Sequence, residues 1–248
     1  MNAASSAFLR FWAQLSVAVP PYVHPADAPH IRVGDFELAL LPIPVNGHLA
    51  EADAIVLTLN PGLDDEDRVW EERKDFRDSL LRNLSQSHLD TGYPLSYLNP
   101  TFAMHAGAGY WSQSRRLGLR RDPQKLFHVT EAIAQRDNVS IETARAHVSR
   151  MVAILQLFPY HSTAKPPQRL LRRLPSCAAA RELVTGLIEE RRQLVVATRS
   201  VADWGFNGPM NGDKLVVYEG NQGTSASLTL NSIGGQAIVR AIRPATAA

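Results

Sequence analysis

One cysteine, Cys177, stands in a chain of 248 residues. An internal disulfide, a thiolate cluster and a four-cysteine zinc site are therefore excluded. No apolar run approaches the roughly 20 residues that a membrane helix requires. Also missing are a Gly-x-Gly-x-x-Gly fingerprint, a Walker A loop and a Gly-x-Ser-x-Gly elbow. Dinucleotide, nucleoside-triphosphate and hydrolase-elbow chemistry thus lack motif support. The eight histidines never fall at His-x-x-x-His spacing. The expectation is a chain with no cofactor, no metal cluster and no membrane contact, a monomer in the cytoplasm.

Charge of one sign is also in short supply, since the net formal charge is only +2. The basic residues are nearly all arginine, however, and they cluster. Arg115, Arg116, Arg120 and Arg121 form one group; Arg169, Arg172 and Arg173 form another. Arginine suits planar, bidentate partners such as phosphates, so Arg115, Arg116, Arg169 and Arg172 are candidate nucleic-acid contacts. A solvated helix face is the alternative for each group.

The apolar stretches that are present are short and bounded by turns. Ala54 to Leu59 is a β-branched run that stops at Asn60-Pro61-Gly62, as a strand buried on both faces does. Pro61 cannot donate to a ladder, and Gly62 permits a turn or a close ligand approach. Val152 to Phe158 is a second such run, ending at Pro159 and followed by Tyr160-His161-Ser162-Thr163. Leu194 to Thr198, Leu215 to Tyr218 and Ser227 to Ser232 read as further strands, and Ile31 to Leu40 as an edge hairpin.

Helical spacing marks the N-terminus (Phe8, Phe11, Trp12 and Leu15), which lacks the basic start of a signal peptide. It also marks Asp64 to Leu84, Tyr110 to Leu119, a Ser140-capped stretch to Arg150, a helix opening at Ser176, and Ile233 to Ile242. The acidic Asp64, Asp65 and Asp67 fit helix-dipole partners better than a metal run. Pro20 to Pro29 is a Pro-rich connection, and Ser85 to Gly109 is a long loop of functional or mobile character. Strands alternating with helices imply a three-layer α/β/α sandwich with a central, mostly parallel sheet, in one domain over residues 1–248.

In such a sheet, ligands bind beyond the carboxyl ends of the strands. Those ends would bring Asn60, His161 and Asn231-Ser232 to one crevice, all neutral groups. For Asn60 the alternative is a strand-ending turn. For His161 it is a satisfied polar residue, for Phe102 core packing, and for Asn231 and Ser232 a helix cap.

The order of these motifs resembles the uracil-DNA glycosylase superfamily, most of all its mismatch-specific uracil/thymine branch. Leu57-Thr58-Leu59-Asn60-Pro61-Gly62 matches that branch's strand ending in Asn-Pro-Gly. Phe102-Ala103-Met104-His105, followed by Tyr110-Trp111, is similar to its aromatic loop and Phe-Trp helix. Leu230-Asn231-Ser232-Ile233-Gly234-Gly235 looks like a degenerate form of its final motif. The pattern Leu-Asn-Pro, Leu-Phe-Pro-Tyr-His-Ser-Thr and Ala-Asp-Trp-Gly is also similar to a bacterial family of related fold whose function is not assigned.

The glycosylase resemblance implies DNA as partner and hydrolysis of the N-glycosidic bond of a damaged or mismatched pyrimidine. It gives Asn60 the orientation of a water at C1′, with His161 a further catalytic candidate. Phe102 would stack on an extruded base. Leu59, Pro61 and Gly62 would line the base edge, and Asn231 and Ser232 would lie near phosphates. The alternative on the same fold is a catalytically silent nucleic-acid- or base-binding protein. Pro123 to Val148 has no counterpart in the family's pattern.

Overall fold

The computed structural model describes residues 3–32, 34–90, 92–112, 126–207, 212–219 and 228–245. Five short strands form one sheet: β1 (Val45–Asn46), β2 (Ala54–Thr58), β3 (Val152–Gln156), β4 (Leu194–Ala197) and β5 (Leu215–Val217). Their order is β1-β3-β2-β4-β5, so the first parallel strand is the central one. β3, β2, β4 and β5 run parallel, and β1 closes the β3 edge in the antiparallel sense. The pairing sets Thr58 beside Gln156 and Leu57 beside Ala197, which aligns the carboxyl ends of three strands.

Strand side chains alternate between two cores, as the pleat requires. Ile55, Leu57, Ala153, Leu155, Val195 and Ala197 face one cluster. On that side lie α1 (Ala3–Trp12), α7 (Gln168–Arg173), α8 (Pro175–Glu190) and α9 (Val201–Trp204). Ala54, Val56, Val152, Ile154, Leu194 and Val196 face the other. That side holds α4 (Ala106–Ser112), α5 (Phe127–Asp137), α6 (Ile141–Met151) and α10 (Ile233–Ala241). The arrangement is α/β with helices on both faces of a mixed sheet, compatible with a three-layer sandwich. Ala54 to Leu57 have no exposed surface at all, which explains why this stretch has no polar residue to give.

A third, smaller cluster joins Tyr22, Leu41, Ile43, Phe76, Leu80 and Phe102. It packs α2 (Asp67–Glu72) and α3 (Lys74–Ser85) beside the sheet. These two helices correct the expectation of one helix from Asp64 to Leu84. The chain breaks at Arg73, which is extended at φ −72°, ψ 122°. There its guanidinium lies 4.5 Å from the Trp70 ring and bonds Asp75. The phase shift at the break turns Val69 outward, where it is 62% exposed rather than inward-facing.

Three further expectations are corrected. Ile31 to Leu40 forms no hairpin among the described residues; it contributes one bridge, Glu37 to His161, and otherwise turns. Residues 228–232 form no strand, and Ser227 lies outside the described residues. The helix expected from Tyr110 begins earlier, at Ala106, and its continuation past Ser112 also lies outside them. No helix was expected at α7 or α9, nor at α5. The buried positions of α5 are Val129, Thr130 and Ile133, too few apolar residues to show a stripe. Among the described residues, no helix is long and apolar enough to cross a membrane.

The helix opening near Ser176 is capped from a distance. Ser176 does not cap it by its own side chain. Instead the buried Asp27 carboxyl accepts from the Ser176 N–H at 3.0 Å and from the Tyr160 hydroxyl at 2.7 Å. This ties the Pro-rich connection to α8 and to the segment after β3. Replacing Asp27 by Ala strands two buried donors. We expect a loss of about 3 kcal/mol of stability, read as a lower denaturation midpoint in urea. A midpoint within experimental error of the parent refutes that coupling.

Candidate functional site

A crevice of about 530 Å³ opens beyond the carboxyl ends of β2, β3 and β4. Its floor is Thr58 to Asp64 together with Gln156, His161 and Ser162; Tyr97, His105 and Tyr110 wall one side. The chain leaves β2 towards β3 and leaves β4 towards β5, which is the switch point where open α/β sheets bind ligands. The volume suits a ligand of nucleotide size.

Asn60 is the first residue past the ladder. The N–H groups of Leu157 and Phe158 donate to the carbonyls of Thr58 and Leu59, and pairing stops there because Pro61 has no N–H. The Asn60 Nδ2 donates to the Pro61 carbonyl at 2.8 Å and to the Ser162 hydroxyl at 3.0 Å. A carbonyl can only accept, so the atom facing it must be the nitrogen. The Ser162 hydroxyl spends its own proton on the Ala164 carbonyl at 2.9 Å. Both Asn60 protons are thus committed, and Oδ1 is the group that the side chain offers to a ligand. It is an acceptor only.

Two imidazoles and one carboxylate line the wall beside it. Gly107 N–H donates to His105 Nδ1 at 3.0 Å, so Nε2 carries the proton and faces Asp67 Oδ1 at 3.2 Å. Asp67 Oδ2 accepts from the Asp64 N–H at 2.7 Å. Burial alone would raise the Asp67 pKa; the bonds from His105 and Asp64 outweigh it and hold the carboxyl below its usual range. Asp67 is therefore a buried anion with both oxygens engaged.

His161 donates from Nδ1 to the Gly62 carbonyl at 2.9 Å, and its Nε2 is buried without a hydrogen-bond partner. Burial pushes its pKa down, and neither Asp67 at 3.9 Å nor the Gly62 and Leu41 carbonyls reverse that. The ring is neutral at pH 7, with Nε2 bare. Its backbone is pinned by the Glu37 N–H, which donates to the His161 carbonyl.

Other groups on the wall were not singled out in the sequence. Thr58 Oγ1 bonds Gln156 Oε1 at 2.5 Å, which leaves the amide nitrogen of Gln156 open on the floor. Lys165 pairs with Asp203 at 2.6 Å, and Arg199 also lines the cavity. Asp67 had a detectable signal. It lies four residues before Glu71, also buried, so both carboxyls share the inner face of one helix.

The candidate residues separate cleanly. Asn60, Leu59, Pro61, Gly62 and His161 line the crevice. Phe102 does not: it is 3% exposed and packs against Phe76 with ring centroids 5.1 Å apart. Asn231 is exposed away from the crevice, and Ser232 caps α10 by accepting from the Gly235 N–H at 3.0 Å. The paired glycines after it have a packing cause, since a Cβ on Gly235 would lie 2.2 Å from the Thr229 carbonyl. Arg169 and Arg172 are exposed on α7 outside the cavity wall; Arg115 and Arg116 lie outside the described residues. Among the described residues, no group of three or more His, Cys, Asp or Glu could hold a metal ion.

Neither a known family, nor a curated protein, nor a solved structure matches this chain.

The buried His161 makes stability depend on pH. Its folded pKa is depressed, so the unfolded chain binds the proton first as pH falls. Its contribution is complete above the unfolded value of about 6.5 and is lost as pH falls towards the folded one. Between about pH 6.5 and 5, parent stability should fall more steeply than that of His161→Gln, by up to about 1.4 kcal/mol per pH unit. Parallel midpoint-against-pH curves for the two proteins refute a buried neutral ring.

Proposed function

We propose that the crevice hydrolyses the N-glycosidic bond of a damaged or mismatched pyrimidine in DNA, after the manner of uracil-DNA glycosylases. The single observation that carries this reading is the fixed amide of Asn60. With both protons held by Pro61 and Ser162, its Oδ1 accepts a hydrogen bond from a water and so aims that water's lone pair away from itself, at C1′ of a nucleotide in the crevice. The water oxygen bonds C1′ as the bond to the base breaks, the electron pair leaves with the base, and the water's proton passes to solvent or to the departing base. An amide is a poor base, so the rate rests on orientation and on stabilising the leaving anion. The open amide nitrogen of Gln156 is a donor on the same floor for that charge. Turnover is slow on this chemistry.

The chain-order likeness supports the reading at the floor, where Leu59-Asn60-Pro61-Gly62 forms the wall. At Phe102 and Asn231-Ser232 the likeness has no counterpart on that wall. A second reading, a base-binding protein without turnover, is favoured by the acid–base groups beside Asn60. His105 has both nitrogens engaged, Asp67 both oxygens, and the unpartnered nitrogen of His161 is buried, so none of the three offers an accessible atom for proton transfer.

A DNA strand carrying one uracil, incubated with protein and then treated with alkali, distinguishes them. The parent should cleave it, and Asn60→Ala should do so roughly 10²–10³-fold more slowly. Ser162→Ala frees the amide to rotate and should cost about tenfold. No cleavage at high protein excess refutes the enzyme reading and leaves the binding one. Parent-like cleavage by Asn60→Ala refutes the role given to that amide.

A further inference from the structure

Five residues other than glycine have left-handed backbone among the described residues: Gln86, His88, Asn138, Arg191 and Ser200. Gln86, Asn138 and Arg191 each follow the last residue of a helix, where a left-handed residue is a common stop. His88 lies outside the cavity wall. Ser200 differs from all four. It stands before the first residue of α9, at φ 53°, ψ 35°, and it lines the crevice. A residue in that place ordinarily has extended backbone and bonds the first turn through its side chain. Ser200 does neither, and its hydroxyl has no hydrogen-bond partner among the described residues. α9 has only four residues, so what Ser200 offers the crevice is its hydroxyl, not a helix end. Strained backbone of this kind persists where a site holds a side chain in place.

Sheet order fixes what that hydroxyl can meet. Gln156 ends β3, Asn60 follows β2 and Ser200 follows β4, and β2 lies between the other two strands. The outer strands of such a trio are roughly 10 Å apart. All three residues line the one cavity. Gln156 is 5% exposed, and its amide nitrogen has no hydrogen-bond partner and is not sealed from the crevice. In strand order the crevice therefore presents a neutral donor, an acceptor and a hydroxyl. Of the two cations on the wall, Lys165 is held by Asp203 and Arg199 has an interaction of its own. The partner that suits Ser200 is thus a neutral oxygen. With the base over Gln156 and C1′ over Asn60, the ligand continues towards β4 as its sugar.

We propose that Ser200 is the sugar-contacting residue of the crevice, its hydroxyl bonding a sugar oxygen of the bound nucleoside. This assignment rests on reading the crevice as a nucleotide site, and it adds which strand end receives the sugar.

Free uracil and 2′-deoxyuridine, neither with a phosphate, separate the two ends of the ligand. Each is titrated into the full-length parent, Ser200→Ala and Ser200→Gly, with binding read from backbone amide shifts and the nucleoside's integrity from its own proton signals. Both variants should bind deoxyuridine about five- to tenfold more weakly than the parent and bind uracil as the parent does. Ser200→Gly should also have a higher urea midpoint than the parent, because glycine enters left-handed backbone without steric cost, and Ser200→Ala should not. A variant that is more stable and yet binds the nucleoside less well cannot be explained by damage to the fold. Parent-like deoxyuridine binding by both variants overturns the proposal and leaves the crevice as a nucleoside site. An equal loss for uracil overturns it too, since the hydroxyl would then meet the base. So does a Ser200→Gly midpoint below the parent's, which would make Ser200 a structural residue. No binding of either ligand by the parent up to about 20 mM overturns both the proposal and the nucleotide reading.

Discussion

Strand β2 has hydrogen-bonded neighbours on both sides and packed side chains on both faces, so its polar backbone has no route to water until the ladder ends. That constraint organises the molecule. Each carbonyl at the end of the strand is taken up by a group from somewhere else. Thr58 accepts from the Leu157 N–H and from the indole of Trp204, and Leu57 accepts from the hydroxyl of Thr198. Polar side chains are first tolerated where this ladder stops, and three strands stop at the same level. The cavity is the consequence of that shared ending, and Pro61 marks where it falls.

Holding the ending in place requires segments far apart in the chain, and buried polar contacts join them alongside the apolar ones. Asn46 clasps Ser96 through both atoms of its amide. Asn83 bonds the Gly47 N–H and the Pro94 carbonyl, and Ser149 bonds the backbone of Leu95. Residues 93–98 are thereby fixed against β1, α3 and α6, and Tyr97 is placed on the crevice wall. Gly47 allows this at φ +114°, where a Cβ would come within 2.7 Å of the Val152 carbonyl. Buried polar groups carry a desolvation cost, so fully satisfied ones specify a single arrangement.

The electrostatics of the crevice follow from one buried anion. Asp67 orders the local proton positions: it receives the His105 N–H, and its charge favours a protonated His161 that burial nonetheless keeps neutral. The outcome is a floor whose hydrogen-bonding groups are mostly committed, with Asn60 Oδ1 left to accept and His161 Nε2 bare but buried. Such a surface orients a ligand or a water better than it moves a proton.

How far all this was legible depends on range. Ala54 to Leu59, Val152 to Phe158 and Leu194 to Thr198 announce buried strands because a strand dry on both faces can hold only apolar residues, and that shows in six letters. Asn60-Pro61-Gly62 announces its own end for the same reason, since proline removes a donor. Helix phase was less legible. One extended residue, Arg73, turns Val69 outward, and no local pattern foretells a break held by a ring and a carboxylate. The Phe102 and Ser232 stretches look like functional motifs in one dimension and are a core ring and a helix cap in three. The sequence by itself determined which stretches must be dry, and hence an α/β sheet with polar strand ends. Only the tertiary structure decided that Asp67, His105 and His161 meet across 94 residues, because hydrogen-bond geometry between distant segments leaves no trace in the spacing of either.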